Sequence, residues 1–210
     1  MTLTVPRHTL LAHRMAALRD AATPPEAFRR LLAEIGTILA VAATADLPGA
    51  TRAVATPMET MTHPVLAGPE PALVPILRAG LGLLEGARRV LPDAPVGHIG
   101  LARNEHTLQP AEYLRRLPPD AAARGVLLLD PMLATGGSAV AACTLLKSAG
   151  VTAIRMLVVV AAPEGVAAMA AAHPDVPIWA AALDRGLNAQ GFIMPGLGDA
   201  GDRCFGTEAG

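Results

Sequence analysis

The sequence predicts an α/β fold built on a doubly wound, mostly parallel β-sheet. Hydrophobic residues make up 52% of the 210 residues and aromatic residues only 2%. A core of Ala, Leu and Val suits small-residue helices on a buried sheet better than an aromatic-rich sandwich. Short apolar runs alternate with helical patterns, and glycine-rich turns follow several of them. The length suits one core with a small appended lobe, so we predict one domain over residues 1–210 with an N-terminal helical arm over about 1–45.

Charge and cysteine content exclude several classes of protein. The net charge is −1, so we expect no nucleic acid and no membrane surface as a partner. Cys143 and Cys204 cannot make a disulfide framework, and we predict that both are reduced packing residues. The first seven residues lack the apolar core of a signal peptide, and apolar runs such as Met156–Ala162 are far shorter than the roughly 18 residues of a membrane span. We therefore expect a cytoplasmic protein.

The first third of the chain contains one strong helix signal. Thr23-Pro-Pro-Glu26 predicts a helix start with Thr23 as N-cap and proline in the first turn. Apolar residues then recur at helical spacing from Phe28 to Leu39. Residues 48–71 carry five prolines and few patterned apolar residues. They predict an irregular connection, with short strands left open.

The middle of the chain returns to strands and helices. Ala72–Leu77 predicts a short buried strand, followed by a turn over Arg78–Gly82. Leu83–Val90 predicts a helix, and Val96–Leu101 a further strand. Residues 103–119 are polar and turn-rich, which predicts an excursion from the core.

A βαβ unit follows, and with it the pattern of a parallel sheet. Val126–Asp130 and Arg155–Ala162 predict strands on either side of a helix over Ala139–Ala149. The next elements are a helix and a strand, predicted at Gly165–His173 and Pro177–Leu183. Residues 191–206 hold five glycines, which predicts a loop.

The turn after Val126–Asp130 carries the chemistry. Asp130 is the only charged residue between Arg124 and Lys147. Gly136-Gly137 allows a tight turn and close approach to a ligand, with hydroxyls on either side and helix N–H groups after it. These features predict a pocket for a phosphate. The alternative interpretation of the segment, a plain strand–helix turn with Asp130 as a helix cap, stays open. A P-loop is excluded because the Gly-Lys-Ser/Thr ending is absent.

The segment Val126–Ser138 resembles the phosphoribosyl-diphosphate (PRPP) signature of type I phosphoribosyltransferases. Its Asp-Pro-Met-Leu-Ala-Thr-Gly-Gly-Ser form is similar to the uracil phosphoribosyltransferases in particular. Three more segments agree in order: Val74–Gly82, Ala161–Gly165 and Pro195–Arg203. The resemblance covers about residues 8–207. It implies the type I phosphoribosyltransferase fold, with a mobile flap and a C-terminal uracil-binding hood over about 184–207.

The resemblance also implies a PRPP site. Asp130 would accept hydrogen bonds from the ribose 2′- and 3′-hydroxyls, without a second acid beside it. The adjoining turn would hold the 5′-phosphate and complete the PRPP contacts, through Pro131, Met132, Leu133, Ala134, Thr135, Gly136, Gly137 and Ser138. Arg78 would bind the pyrophosphate in bidentate fashion, its alternative being a surface pair with Glu85. Arg103 would add a second contact from the flap. Tyr113 fits the flap pattern or is packing.

The last glycine-rich stretch would bind the base. The resemblance assigns uracil to Ile193, Gly198, Asp199 and Ala200, and fixed backbone N–H and C=O groups there would match the edge of uracil and reject cytosine. Asp199 would also be the acid for a Mg²⁺ bound with PRPP, directly or through water. We predict a local ion pair between Asp202 and Arg203.

The expected reaction is attack of uracil N1 on C1 of PRPP, giving UMP and diphosphate in pyrimidine salvage. The resemblance further implies a homodimer or homotetramer, with a GTP effector as an open question. Two alternatives remain: transfer to another base, and an RNA-binding regulator on the same fold, which needs a concentrated basic face. Val41-Ala42 and Phe192 depart from the frequent Tyr-Glu and Tyr of the family. These departures bear on interface or effector contacts and on affinity for uracil.

Overall fold

Parallel strands of apolar residues form the centre of the protein. The structure is a computed structural model that describes residues 2–103 and 110–207, with only the backbone of Arg103 and Pro110. The strands are β1 (Leu3–Thr4), β2 (Gly49–Ala55), β3 (Thr60–Leu66), β4 (Ala72–Leu77), β5 (His98–Arg103), β6 (Pro110–Arg116), β7 (Val126–Leu129), β8 (Met132–Leu133), β9 (Ile154–Ala161), β10 (Ile178–Leu183), β11 (Gly186–Leu187) and β12 (Ile193–Met194). The helices are α1 (Thr9–Arg19), α2 (Pro25–Thr44), α3 (Leu81–Val90), α4 (Ala121–Arg124), α5 (Gly137–Ser148), α6 (Pro163–Ala172) and α7 (Ala200–Phe205).

The main sheet has its switch point between β4 and β7. The strand order is β1-β10-β9-β7-β4-β5-β6, and β8 pairs with β9. Neighbouring strands are parallel except β5 and β6. The chain extends the sheet in one direction after β4 and in the other after β7. Ligands of open α/β sheets bind at the carboxyl ends of the strands where the order reverses.

Helices cover both faces of this sheet, which confirms the doubly wound α/β prediction. Leu127 and Leu129 pack in a cluster with side chains of α1, α2 and α3. Val126 and Leu128 point the other way and pack with side chains of α5 and α6. Successive residues of a strand face opposite sides, so a continuous apolar run can fill two cores.

The segment over residues 48–71, predicted as an irregular connection with short strands left open, contains two strands and is regular over most of its length. Strands β2 and β3 form an antiparallel hairpin, in register from Gly49 opposite Leu66 to Ala55 opposite Thr60. Four of the five prolines lie outside the strands. Pro64 is accommodated in β3 because each strand of a two-stranded sheet has an unpaired side.

Two other segments predicted as irregular contain regular structure. Residues 110–116 form β6, which gains its hydrogen bonds from β5. Within the predicted loop 191–206, Ile193–Met194 pairs with Gly186–Leu187, and Ala200–Phe205 is helical. Asp199 starts this last helix by accepting the backbone N–H of Asp202 at 2.9 Å.

The start of α2 also differs from the prediction. Its N-cap is Pro24, with no side-chain cap, whereas Thr23 donates its hydroxyl to the carbonyl of Ala17 at 2.6 Å. Thr23 therefore closes the turn after α1. Cys143 and Cys204 are buried and unpaired, which confirms their predicted packing role. In the described ranges no helix combines the length and apolar character needed to cross a membrane.

Candidate active site

The turn after β7 holds the carboxylate that the sequence singles out. Asp130 is 8% exposed. Among the described residues the one hydrogen bond of its carboxylate comes from the backbone N–H of Met132, at 3.4 Å from Oδ1. No Arg or Lys side chain in that part of the chain forms a salt bridge with it. A buried carboxylate without a cation is costly, so Asp130 is a candidate ligand-binding group rather than a helix cap.

A phosphate-sized cradle follows at the start of α5. Gly136 is the N-cap, with φ +86° and no side-chain cap, so the first N–H groups of the helix are open to an anion. A Cβ at Gly136 would lie 2.8 Å from Cβ of Ala168. Thr135 and Ser138 are exposed on either side. The structure thus brings the predicted hydroxyls, the helix terminus and Asp130 to one turn.

The residues between Asp130 and the cradle are anchored in the sheet. The carbonyl of Pro131 accepts the N–H groups of Val159 and Val160, both at 3.0 Å. The carbonyl of Leu133 accepts the N–H of Ala162 at 2.9 Å. Pro131 and Leu133 therefore hold the turn in place, and direct PRPP contacts by Pro131, Met132 and Leu133 stay a prediction.

Burial controls the titration of Asp130. Removal from water raises the pKa of its carboxyl from 3.8 to about 7, and the N–H of Met132 opposes this only in part. Because the uncharged form is favoured in the fold, the carboxyl is poised to ionise close to neutral pH. A ligand that donates hydrogen bonds to it would favour the charged form.

Replacing Asp130 by asparagine is expected to stabilise the fold at pH 8 relative to wild type, by about 2–3 kcal/mol more than at pH 5. Between these pH values the unfolded wild type has released the proton that the folded protein keeps until about pH 7. Each pH unit in that window then costs the wild type about 1.4 kcal/mol, and asparagine has no proton to release. Urea denaturation of both proteins at pH 5, 6, 7 and 8 measures the difference. A difference independent of pH would contradict the raised pKa.

Arg78 follows β4, the strand next to β7. Its side chain is 59% exposed, with Nη2 3.8 Å from Oδ1 of Asp202 and the guanidinium 5.9 Å from the ring centre of Phe205. The alternative pairing with Glu85 is wrong, because Glu85 bonds Arg89 at 2.5 Å. An exposed guanidinium at the switch point remains available to a pyrophosphate.

The predicted base-binding residues lie in strand β12, in the loop that follows it and at the start of α7. Ile193 and Ala200 are buried, and Gly198 has φ +79°. Asp199 uses Oδ1 as the N-cap of α7. Phe192 is 52% exposed, so its ring is not part of the core.

The predicted ion pair between Asp202 and Arg203 is wrong. Arg203 donates to the carbonyls of Leu18, Leu197 and Asp20, at 2.9, 2.7 and 2.5 Å. Its guanidinium also stacks 4.4 Å from the ring centre of Phe28. Leu18, Asp20 and Phe28 are distant from Arg203 in sequence, so spacing alone could not predict these contacts.

Known proteins that are similar to this chain identify its family. A family profile described as "Uracil phosphoribosyltransferase" matches residues 5–207. This chain belongs to the uracil phosphoribosyltransferase family. Proteins named uracil phosphoribosyltransferase from Halalkalibacterium halodurans and Lacticaseibacillus paracasei are each 50% identical to it, over 201 and 205 residues. The alignments cover 96% of both chains in the first case and 98% in the second. The resemblance seen in the sequence motifs is confirmed, and with it the enzyme class.

Solved structures agree on the fold of this uracil phosphoribosyltransferase family member. The AQ2163 protein from Aquifex aeolicus superimposes with a TM-score of 0.89 at 37% identity, over 100% of both chains. A hypoxanthine-guanine phosphoribosyltransferase from Bacillus anthracis has a TM-score of 0.53 at 12% identity, over 76% of this chain and 80% of that one. The second likeness concerns the fold alone. The type I phosphoribosyltransferase fold is therefore confirmed.

Two glycines in the family motifs have structural roles that sequence reasoning missed. A Cβ at Gly80 would lie 2.3 Å from the carbonyl oxygen of Leu129, so the Arg78 turn packs directly on the end of β7. A Cβ at Gly165 would lie 2.5 Å from the carbonyl oxygen of Ala134. Both bare backbones let neighbouring elements approach the Asp130 turn. Their position inside motifs was the available signal.

The predicted flap falls largely outside the described residues. The backbone of Arg103 ends β5, and residues 104–109 lie outside the described ranges, as does the side chain of Arg103. The predicted role of Arg103 stays a prediction. Tyr113 is exposed on β6, but its ring covers Gly100, where a Cβ would lie 2.5 Å from ring atoms. The packing interpretation accounts for the contact seen.

Proposed function

We propose that the chain transfers the 5-phosphoribosyl group of PRPP to N1 of uracil, giving UMP and diphosphate in pyrimidine salvage. One observation carries the proposal: a buried carboxylate, without a salt-bridge partner among the described residues, stands before an uncapped helix N-terminus, at the switch point of a chain in this family. That pairing suits a sugar with two hydroxyls and a phosphate. The whole chain, residues 1–210, would act as one domain.

PRPP would lie across the carboxyl ends of β7 and β4. Asp130 would accept from the 2′- and 3′-hydroxyls, and the backbone of Ala134–Ser138 would hold the 5′-phosphate. The diphosphate would then extend toward Arg78 on the adjacent strand end. This direction is supported by the parallel pairing of β4 with β7, which puts both turns at one edge of the sheet.

Uracil would meet backbone groups of the hood. Uracil presents an acceptor, a donor and an acceptor along one edge, whereas cytosine presents a donor at position 4. Fixed N–H and C=O groups near Ile193 and from Gly198 to Ala200 would leave a polar group unpaired with cytosine. The buried side chains of Ile193 and Ala200 support a rigid loop.

The reaction needs charge stabilisation rather than a protein nucleophile. Bond breaking at C1 would build an oxocarbenium-like sugar and a departing diphosphate. Arg78 and Arg103 would stabilise the diphosphate, and closure of the flap would exclude water. Asp130 would keep the ribose oriented through its carboxylate.

The residues present fit a Mg²⁺ carried mainly by PRPP. Within the described ranges no group of three or more His, Cys, Asp or Glu side chains could hold a metal ion. Mg²⁺ commonly takes one or two carboxylates together with substrate phosphates. Asp199 has one oxygen committed to capping α7, which leaves the other for the ion or its water. When bound, Mg²⁺ would neutralise charge on the diphosphate.

The proposal includes assembly and location. A homodimer or homotetramer in the cytoplasm, with GTP as an effector to be tested, is the state inferred from the family resemblance. Exposed apolar side chains on the β2–β3 hairpin, Met58, Met61 and Leu66, and Val41 on α2 support burial against a second copy. Sedimentation of the protein with and without GTP tests the oligomeric state and its response to GTP.

Turnover with PRPP and Mg²⁺ should occur with uracil and fall by about 10⁴-fold with cytosine, because a site that matches polar edges rejects the mismatched base by that order. Release of pyrophosphate is measured in parallel with uracil, cytosine, orotate and hypoxanthine, with PRPP alone as the control for hydrolysis. Turnover of another base without turnover of uracil would contradict the proposed specificity.

A further inference from the structure

A buried ion pair lies beside the proposed base-binding loop. Asp184 directly follows β10, and its side chain is 5% exposed. Arg19, the last residue of α1, binds it through both guanidinium ends, with Nη1 2.8 Å from Oδ2 and Nη2 2.6 Å from Oδ1. Such bidentate pairs restrict geometry as well as contributing energy. The mechanism above uses neither residue.

Both members of this pair bind the backbone of a single loop residue. Gly196 donates its N–H to Oδ2 of Asp184 at 2.9 Å. Its carbonyl accepts from Nη1 of Arg19 at 2.6 Å. Gly196 has φ +64°, and a Cβ there would lie 2.1 Å from the carbonyl oxygen of Ile193. The ion pair therefore binds both the backbone N–H and the carbonyl of residue 196, a position that only glycine can occupy.

A second arginine ties the next loop residue to the same helix end. Arg203 donates to the carbonyl of Leu197 and also to those of Leu18 and Asp20. Residues 196 and 197 are thus joined to residues 18–20 by two guanidinium groups. The proposed uracil contacts, Gly198 to Ala200, follow immediately.

We propose that the Arg19–Asp184 pair positions the base-binding loop and so sets the affinity for the pyrimidine. This inference rests on the proposed function for the identity of the base. Arg19 and Asp184 are positioning residues, because they act through the backbone of Gly196. Backbone recognition requires fixed N–H and C=O groups, and a displacement of about 1 Å is enough to cost about 10²-fold in rate. The N-terminal arm thereby takes part in base recognition from outside the site.

The kinetic test separates the two substrates. Arg19→Met should raise KM for uracil by about 10–100-fold while KM for PRPP changes by less than about 3-fold, because the proposed PRPP contacts other than Asp199 lie on other elements. For Arg19→Lys, which keeps the charge but not the planar guanidinium, KM for uracil should lie between the values of the wild type and Arg19→Met. The matched control is Lys147→Met on α5, which removes the surface ion pair of Lys147 with Asp175 (2.7 Å). Equal changes in both KM values, or none, would overturn the proposal.

A second variant guards against misfolding. Arg19→Met combined with Asp184→Asn leaves no unpaired buried charge, so the fold should recover while KM for uracil stays high. If the double variant recovered both wild-type stability and wild-type KM for uracil, the pair would have a purely structural role and the proposal would be overturned.

Hydrogen–deuterium exchange gives a readout that does not depend on turnover. Arg19→Met and the double variant should speed exchange over residues 192–200 at least about tenfold, with residues 126–138 unchanged, because the loop loses the Arg19 contacts to Asp184 and to the Gly196 carbonyl and opens more often. Lys147→Met should leave exchange over both ranges unchanged. Unchanged exchange over residues 192–200 would overturn the positioning role of the Arg19–Asp184 pair even if uracil turnover is found. If the wild type uses another base, the proposed substrate is wrong. The exchange rates and the KM for that other base would then still test the positioning role of the pair.

Discussion

Asp130→Asn is expected to lower kcat/KM for PRPP by about 10²–10³-fold. Asparagine keeps the shape of the side chain but replaces one acceptor oxygen with a donor and removes the charge. Two charge-assisted hydrogen bonds to the ribose hydroxyls, at about 1.5–3 kcal/mol each, account for a loss of this size. Steady-state kinetics with uracil saturating and PRPP varied measure it.

The control for Asp130→Asn is Asp175→Asn, which changes an exposed carboxylate paired with Lys147 in the last turn of α5, at the opposite end of that helix from Gly136. It should keep wild-type kinetics. The Asp130 variant should unfold cooperatively at a higher urea concentration than wild type at pH 8, since it no longer buries a charge. Wild-type kcat/KM in Asp130→Asn would remove the residue from the site.

Gly80→Ala is expected to lower both kcat/KM and stability, by about 10²-fold and about 3 kcal/mol. The new Cβ would lie 2.3 Å from the carbonyl oxygen of Leu129 and 2.7 Å from that of Ile76. Both are backbone atoms inside the sheet, so the Arg78 turn would have to move away from the end of β7. Overpacking of this kind typically costs about 1–3 kcal/mol, and displacement of a substrate contact adds the loss of rate.

Gly82→Ala is the matched control for Gly80→Ala. It lies two residues further on, and its nearest atom, at 2.4 Å, is Cδ1 of Leu32, the end of a flexible side chain. That side chain can turn aside, so the loss of stability should be much smaller and kcat/KM near wild type. Thermal unfolding and kinetics of both variants measure the contrast. Equal losses in the two variants would show that backbone contact at Gly80 is not the cause.

Local sequence signals predict most of the sheet and the PRPP turn. The strand Ala72–Leu77 has the predicted bounds, and the strands of the βαβ unit are correct within one residue. These elements are marked by uninterrupted apolar runs that end at a charged or glycine residue. Asp130 and Gly136 stand out for the same reason, since a lone acid and a glycine pair interrupt an apolar stretch.

Predictions failed where an element is defined by the partner that it pairs or packs with and not by its own apolar pattern. The strands of the β2–β3 hairpin are exposed and lack an apolar pattern, and their pairing with each other defines them. Helix α7 lies among five glycines, where composition favours a loop. Its start at Asp199 had a cap signal, but the buried contacts of Ala200 and Cys204 stabilise it.

The turn from Asp130 to Ser138 and the family to which the chain belongs were determined by the sequence alone, because short motifs encode backbone conformation and charge directly. Only the tertiary structure decided that the carboxylate is buried, which raises its pKa, and that it has no salt-bridge partner in the described part of the chain. It also decided that Arg203 binds carbonyls instead of Asp202, and that Arg19 reaches Asp184 and Gly196. Such contacts join residues more than 160 positions apart, so no local spacing determines them, and they form only when α1 packs beside the carboxyl end of β10.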